Sequence, residues 1–194
     1  MCGIVGALAQ QDVTPVLIEG LRRLEYRGYD STGVAVGPDR GGLCLRRAVG
    51  KVARLVQKLE ADPCGGRIGI AHSRWATHGG VTEANAHPHV SGERIALIHN
   101  GIIENFAELR EALRGKGYTF ASETDTEVIA HLIHDLVREG LDLTAAVQRA
   151  VRRLTGAYAI VVFDAQQPDR IVVARIASPL VIGLGENGTG NYVA

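Results

Sequence analysis

The sequence has 194 residues, enough to bury one core of its own. Lys plus Arg and Asp plus Glu are equal at 21 each, so the basic excess that a nucleic acid or an anionic membrane surface would need is missing. No apolar run approaches the ~18 residues of a membrane span and no basic segment precedes an apolar one, so the expected setting is cytoplasmic, with neither nucleic acid nor membrane as partner.

The first expected strand is Ile4–Ala9, directly after Met1-Cys2-Gly3. A helix follows from Thr14, with Pro15 at its first position, where a missing N–H costs nothing; Val16, Leu17, Leu21 and Leu24 form its buried face. Expected strands Gly33–Val36 and Leu43–Arg47 precede a helix that carries Val52, Leu55, Val56 and Leu59 at helical spacing. Strands Ile68–His72 and Ile95–His99 come next, then a helix from Asn105 that aligns Phe106, Leu109 and Leu113 and ends at Gly115 or Gly117. Thr124-Asp125-Thr126-Glu127 fits a capping box, with Val128, Ile129, Leu132, Ile133 and Leu136 behind it. A fifth helix over about Thr144–Leu154, stopped by Gly156, leads to strands Ala157–Phe163, Ile171–Ala174 and Leu180–Gly183.

Helices in clusters and strands apolar on both faces predict a mixed α and β domain. Two sheets stacked between helical layers explain the pattern, and a doubly wound parallel sheet fits the same periodicity. After a Gly/Asn-rich turn, Asn191-Tyr192-Val193-Ala194 begins an element that does not finish, so the chain reads as a fragment of something longer.

The three cysteines are Cys2, Cys44 and Cys64, and an odd number without a secretory signal argues against a disulfide framework. Cys44 reads as a small apolar residue and Cys64 as a free surface thiol. Cys2 is distinguished by position. Removal of Met1 would leave a thiol and a free α-amine on one residue. An α-amine with a pKa of about 7.7–8.0 can take the thiol proton without a histidine.

Five further segments follow in order: Leu24-Glu25-Tyr26-Arg27-Gly28-Tyr29-Asp30-Ser31, Ser73-Arg74-Trp75-Ala76-Thr77-His78-Gly79, Asn85-Ala86-His87-Pro88-His89, His99-Asn100-Gly101-Ile102-Ile103-Glu104-Asn105 and Ser122-Glu123-Thr124-Asp125-Thr126-Glu127. With the Cys2-Gly3-Ile4 start they resemble the N-terminal glutaminase domains of the glutamine–fructose-6-phosphate aminotransferase family, a branch of the class II glutamine amidotransferases. The resemblance runs from Cys2 to about Gly183. The phosphoribosyl-pyrophosphate branch would carry a different motif at Tyr26–Asp30 and would lack the Arg74–His78 wording.

The resemblance implies an α+β fold, a four-layer αββα sandwich of the N-terminal-nucleophile hydrolase type. It implies one glutaminase domain over residues 1–194, incomplete at its C-terminal end, with the sugar-phosphate isomerase domain absent. Its substrate would be glutamine, and fructose-6-phosphate would enter only through the missing domain of a homo-oligomeric full-length enzyme. By the same resemblance Cys2 is nucleophile and base, and Asn100 and Gly101 aim donors at the oxyanion. Arg74 offers a planar fork to the glutamine carboxylate and Asp125, in the first turn of a helix, a charge to its ammonium. Thr77 and His78 close over the amino acid, Trp75 lies on a loop that moves on binding, and Arg27 positions Cys2. No cofactor or metal is expected: His87 and His89 have metal-like spacing, but read as hydrogen-bonding loop residues. Two departures from the family are Ala177, where it usually has Gly, and a small insertion at Gly188-Thr189-Gly190. An amidotransferase with another ammonia acceptor, and a silent glutamine-binding regulatory domain, are the competing functions.

Overall fold

The computed structural model describes residues 2–37 and 42–194. In chain order it has β1 (Gly3–Ala9), α1 (Thr14–Leu24), β2 (Ser31–Gly37), β3 (Cys44–Val49), α2 (Val52–Ala61), β4 (Ile68–Arg74), β5 (His89–Ser91) and β6 (Ile95–Ile103). Then come α3 (Phe106–Gly115), α4 (Glu127–Arg138), α5 (Leu143–Val151), β7 (Gly156–Asp164), β8 (Gln167–Ile176), β9 (Ile182–Leu184) and β10 (Gly190–Val193). One sheet has the order β3-β2-β4-β1-β10-β9 and the other β5-β6-β7-β8. Every strand pair in both is antiparallel, so the doubly wound parallel alternative fails.

Alternation along β7 explains why its sequence is apolar throughout. Ile160 and Val162 face one core together with Leu109 of α3, Ile129, Leu132 and Ile133 of α4, and Val147 of α5. Ala159, Val161 and Phe163, the residues between, join Ile4, Ile68, Ile70 and Ile98 in a second core between the sheets. Leu17 and Leu21 of α1 and Leu55 of α2 cover the other face of the six-stranded sheet. These three cores separate four layers, αββα, as the resemblance implies.

The helices follow their sequence signals with corrections. Val16 is 39% exposed, because the buried stripe of α1 is Leu17, Ile18 and Leu21, and Val16 lies about 100° round the helix from Leu17. No capping box forms at α4. The Glu127 carboxylate instead accepts from the Ala121 and Ser122 amides (2.9 and 2.8 Å), and Thr124 and Thr126 turn their hydroxyls to buried histidines. Asp125 therefore precedes the helix rather than lying in its first turn. α5 ends at Val151, and Gly156 opens β7 rather than stopping the helix. The short strand β5 carries no apolar run and was not expected, and Leu180 lies outside β9.

Cys44 and Cys64 are joined in a disulfide, with Cα atoms 5.8 Å apart, contrary to the reading of Cys44 as a small apolar residue and Cys64 as a free thiol. Cys64 is also buried, not on the surface. Helix α2 lies between them in sequence and returns the chain to the start of β3. The odd count concealed one free residue, Cys2, beside one pair.

Ala177 has φ +62°, a left-handed conformation that favours glycine, which accounts for the residue usual at that place in the family. The Gly188–Gly190 insertion runs from the turn after β9 into the first residue of β10, and residues 191–193 complete that strand, which pairs with β1. No helix among the described residues is long and apolar enough to cross a membrane.

Candidate active site

Strands β1 and β4 run antiparallel with Gly3 opposite Ser73, which brings Cys2 beside the turn that leaves β4 at Arg74 and Trp75. The Trp75 amide donates to Cys2 Sγ at 3.3 Å, and Sγ lies 3.7 Å from the Trp75 carbonyl oxygen. Burial pushes the Cys2 thiol up, and this outweighs the Trp75 backbone contact, which pulls it down. A thiol so placed stays protonated at neutral pH until a base removes its proton. Arg27 Nε donates to the Cys2 carbonyl oxygen at 3.3 Å, which ties Arg27 to the main chain of Cys2. Next to it Gly28 is obligatory, because a Cβ there would stand 2.8 Å from the Arg74 carbonyl carbon.

A cavity of about 240 Å³ opens between the ends of the two sheets. Cys2, Arg74, Trp75, Thr77, His78, Asn100, Gly101 and Asp125 all line it. The size suits an amino acid better than a drug-sized ligand, for which ~300 Å³ is a lower bound. Every catalytic and substrate-binding residue expected from the sequence thus borders one space. Arg27, expected only to support Cys2, does not line this space and donates to the Cys2 carbonyl oxygen.

Asn100 and Gly101 lie inside β6, not beyond its end. Gly101 keeps a φ of +143° while paired with Tyr158, and a Cβ on it would stand 2.0 Å from the Ala157 carbonyl oxygen. Only glycine allows the strand to bend there and present its main chain to the cavity. The Asp125 carboxylate accepts from the Ile103 amide at 2.8 Å, which fixes its direction, and the residue is 4% exposed.

Arg74 is more heavily engaged than a free fork. Its Nη1 donates to the Gly80 carbonyl at 3.0 Å, and its Nη2 to the His78 and Gly79 carbonyls. Among the described residues these three hydrogen bonds leave two of its five N–H groups over, and Arg74 lines the cavity. The loop is gripped from the other side by Asp30, whose carboxylate accepts from the Ala76 amide at 2.8 Å. Trp75 is 46% exposed on this loop and meets Tyr29 edge-on, while the His78 ring meets Phe106.

Sequence reasoning assigned no cavity role to His87, His99, Thr124 and Thr126, which also line it. Thr126 Oγ1 bridges His87 Nε2 and His99 Nδ1, each at 2.9 Å, and His72 Nε2 donates to the His99 carbonyl at 3.0 Å. Burial pushes His72 down to about 3 and His99 to about 4, and His87 well below its usual range, so all three are neutral at physiological pH. Only His99 of these lies on a strand, β6, and His87, Thr124 and Thr126 lie in loops, so no periodic pattern marked them.

The sequence matches the family described as "Glutamine amidotransferase domain" over residues 72–189. It is 60% identical over 185 residues to the glutamine–fructose-6-phosphate aminotransferase [isomerizing] of Pseudomonas putida, covering 95% of this chain and 30% of that protein. It is 62% identical, with the same coverage, to the protein of that name in Idiomarina loihiensis. The chain therefore spans about 30% of the length of these relatives. Among solved structures, the glutamine phosphoribosylpyrophosphate amidotransferase from B. subtilis superposes with a TM-score of 0.82 at 25% identity, over 100% of this chain and 41% of that one. With its family match over most of its length and its amidotransferase fold, the chain belongs to the glutamine amidotransferase domain family.

Proposed function

We propose that this domain hydrolyses glutamine to glutamate and ammonia. The observation that carries the reading is the single cavity in which Cys2, Asn100, Gly101, Arg74 and Asp125 converge. The half-buried, protonated thiol needs a base at its side, and after loss of Met1 (which lies outside the described residues) the α-amine of Cys2 is that base. Sulfur attacks the side-chain amide carbon while its proton passes to the amine. Asn100 and the Gly101 N–H stabilise the oxyanion. Collapse breaks the C–N bond, the amine returns the proton to the departing nitrogen, and ammonia leaves a thioester. Water, deprotonated by the same amine, then cleaves the thioester to glutamate and the free thiol. The free N–H groups of Arg74 pair with the substrate carboxylate, Asp125 with its ammonium, and Thr77, His78 and Trp75 cover it.

The relatives' names favour fructose-6-phosphate as final acceptor, and we read the chain as part of a longer, cytoplasmic, homo-oligomeric protein whose further domain holds that sugar. The test is ammonia release from glutamine by Met1-free protein and by Cys2→Ala. The variant should fold and fall to background. Near-native turnover by Cys2→Ala would sink the mechanism.

A further inference from the structure

One wall of the cavity is the loop after β4, and nothing in the chemistry above uses what stands behind it. Asn85 is 2% exposed and does not border the cavity. Its Nδ2 donates to the Gly80 carbonyl at 3.0 Å and to Glu123 Oε2 at 2.8 Å, and its Oδ1 accepts from the Glu123 amide at 2.8 Å. Glu123 Oε2 also accepts from the Gly80 amide at 3.1 Å, which closes a ring of hydrogen bonds. Gly79 packs into this ring with φ +76°, and a Cβ on it would stand 2.8 Å from Asn85 Nδ2 and 2.9 Å from Glu123 Cβ. The Asn85 amide first, and the Gly80 amide second, hold the Glu123 carboxylate below its usual range.

Glu123 stands two residues before Asp125, and Gly80 two after His78. The ring therefore ties the loop that covers the substrate to the segment that carries its ammonium partner. Those two segments leave strands and helices of different layers, and no main-chain pairing among the described residues joins them. We infer that Asn85 and Glu123 form a latch, positioning residues that set how tightly the Trp75–Gly80 loop closes over glutamine. The inference rests on the glutamine reading above. The Arg74 grip, which shares the Gly80 carbonyl with Asn85, acts from inside the cavity; the latch acts from outside and senses where the Asp125 segment stands.

The test compares Asn85→Asp, Glu123→Ala and the double variant Asn85→Asp with Glu123→Gln in the full chain. Asn85→Asp sets two carboxylates together, while the double variant restores a donor between them with the roles exchanged. Asn85→Asp should raise KM for glutamine about tenfold and Glu123→Ala about threefold, each leaving kcat within about twofold, because only binding geometry is lost. The double variant should recover KM to within about threefold of the parent. Amide exchange at Gly80 without substrate should speed in both single variants and slow again in the double one. Glu123 is exposed on the surface, so its variant folds even if the buried Asn85 change does not. Failure of the parent protein to hydrolyse glutamine would remove the functional reading while the exchange data still judged the latch. An active parent with unchanged KM and Gly80 exchange in Glu123→Ala, or a loss carried in kcat alone, would overturn the latch.

Discussion

The two walls of the cavity are built in opposite ways. The wall from β6 and the start of α4 rests on buried side chains: neutral histidines bridged by Thr126, an aspartate fixed by a main-chain amide, and a glycine locked against Ala157. The wall from the loop after β4 rests on main-chain groups gripped by Arg74, Asp30, Asn85 and Glu123, with Thr77 and much of Trp75 in solvent. A wall of buried groups tied by hydrogen bonds is fixed before substrate arrives, even though His87 and His99 each leave one ring nitrogen unpartnered among the described residues, whereas a loop whose own residues are largely exposed opens at lower cost. On the proposed reading of Asp125 as ammonium partner and Cys2 as nucleophile, ammonium recognition is preformed and entry is controlled from the side of Cys2.

The largest expected effect breaks the fixed wall. Gly101→Ala drives a methyl into the Ala157 carbonyl oxygen at a left-handed φ, and neither backbone can yield. A loss of about 3 kcal/mol or more is expected in denaturant unfolding, with activity gone. A stable, active variant would mean that the wall is compliant.

Next come the two charges, one from each wall. On a Cys2→Ala background, Arg74→Ala and Asp125→Ala should each weaken glutamine binding in calorimetry by about 1.5–3 kcal/mol, the worth of a charged hydrogen bond. The walls differ in the remainder. Arg74→Ala should also loosen the loop and speed its amide exchange, and Asp125→Ala should not. Unchanged affinity in both would remove the pair from the site.

Acid sharpens the same contrast. The unfolded chain takes up protons on histidine below about pH 6.5, whereas burial holds His72 at about 3 and His99 at about 4 in the fold. Stability is therefore full above pH 6.5 and is lost as pH falls toward 4, by about 1–2 kcal/mol per histidine between pH 7 and 5. Thermal midpoints measured across that range should drop steadily. A flat profile would show that the histidine layer is hydrated or already charged. The smallest effect lies away from both walls: Ala177→Gly relieves a left-handed alanine and should add about 0.5–1 kcal/mol, read as a small rise in the midpoint.

The parts of the molecule legible in the sequence were those fixed locally. β1, β4 and β7 stand out because both faces are buried, and α1 because Pro15 and a leucine stripe mark it. β6 was cut at His99 because Asn100-Gly101 has the composition of a turn, whereas in the fold Tyr158 across the sheet keeps that pair in the strand. The Thr124–Glu127 box was overridden in the same way: the histidines of β5 and β6 take its hydroxyls, and the amides of residues 121 and 122 take its carboxylate. The site residues themselves were legible through family resemblance. Asn85, Glu123 and Thr126 act through partners 27–39 positions away, which no local pattern encodes.

The central claim is that Cys2, with its own α-amine, is the nucleophile facing this cavity. It is tested most directly by treating Met1-free protein with a glutamine-like electrophile and mapping the adduct by mass. The account predicts one adduct, on Cys2, blocked by excess glutamine and strongly reduced in protein that retains Met1. Labelling that glutamine does not suppress, that maps to another residue, or that proceeds equally with Met1 in place would contradict it.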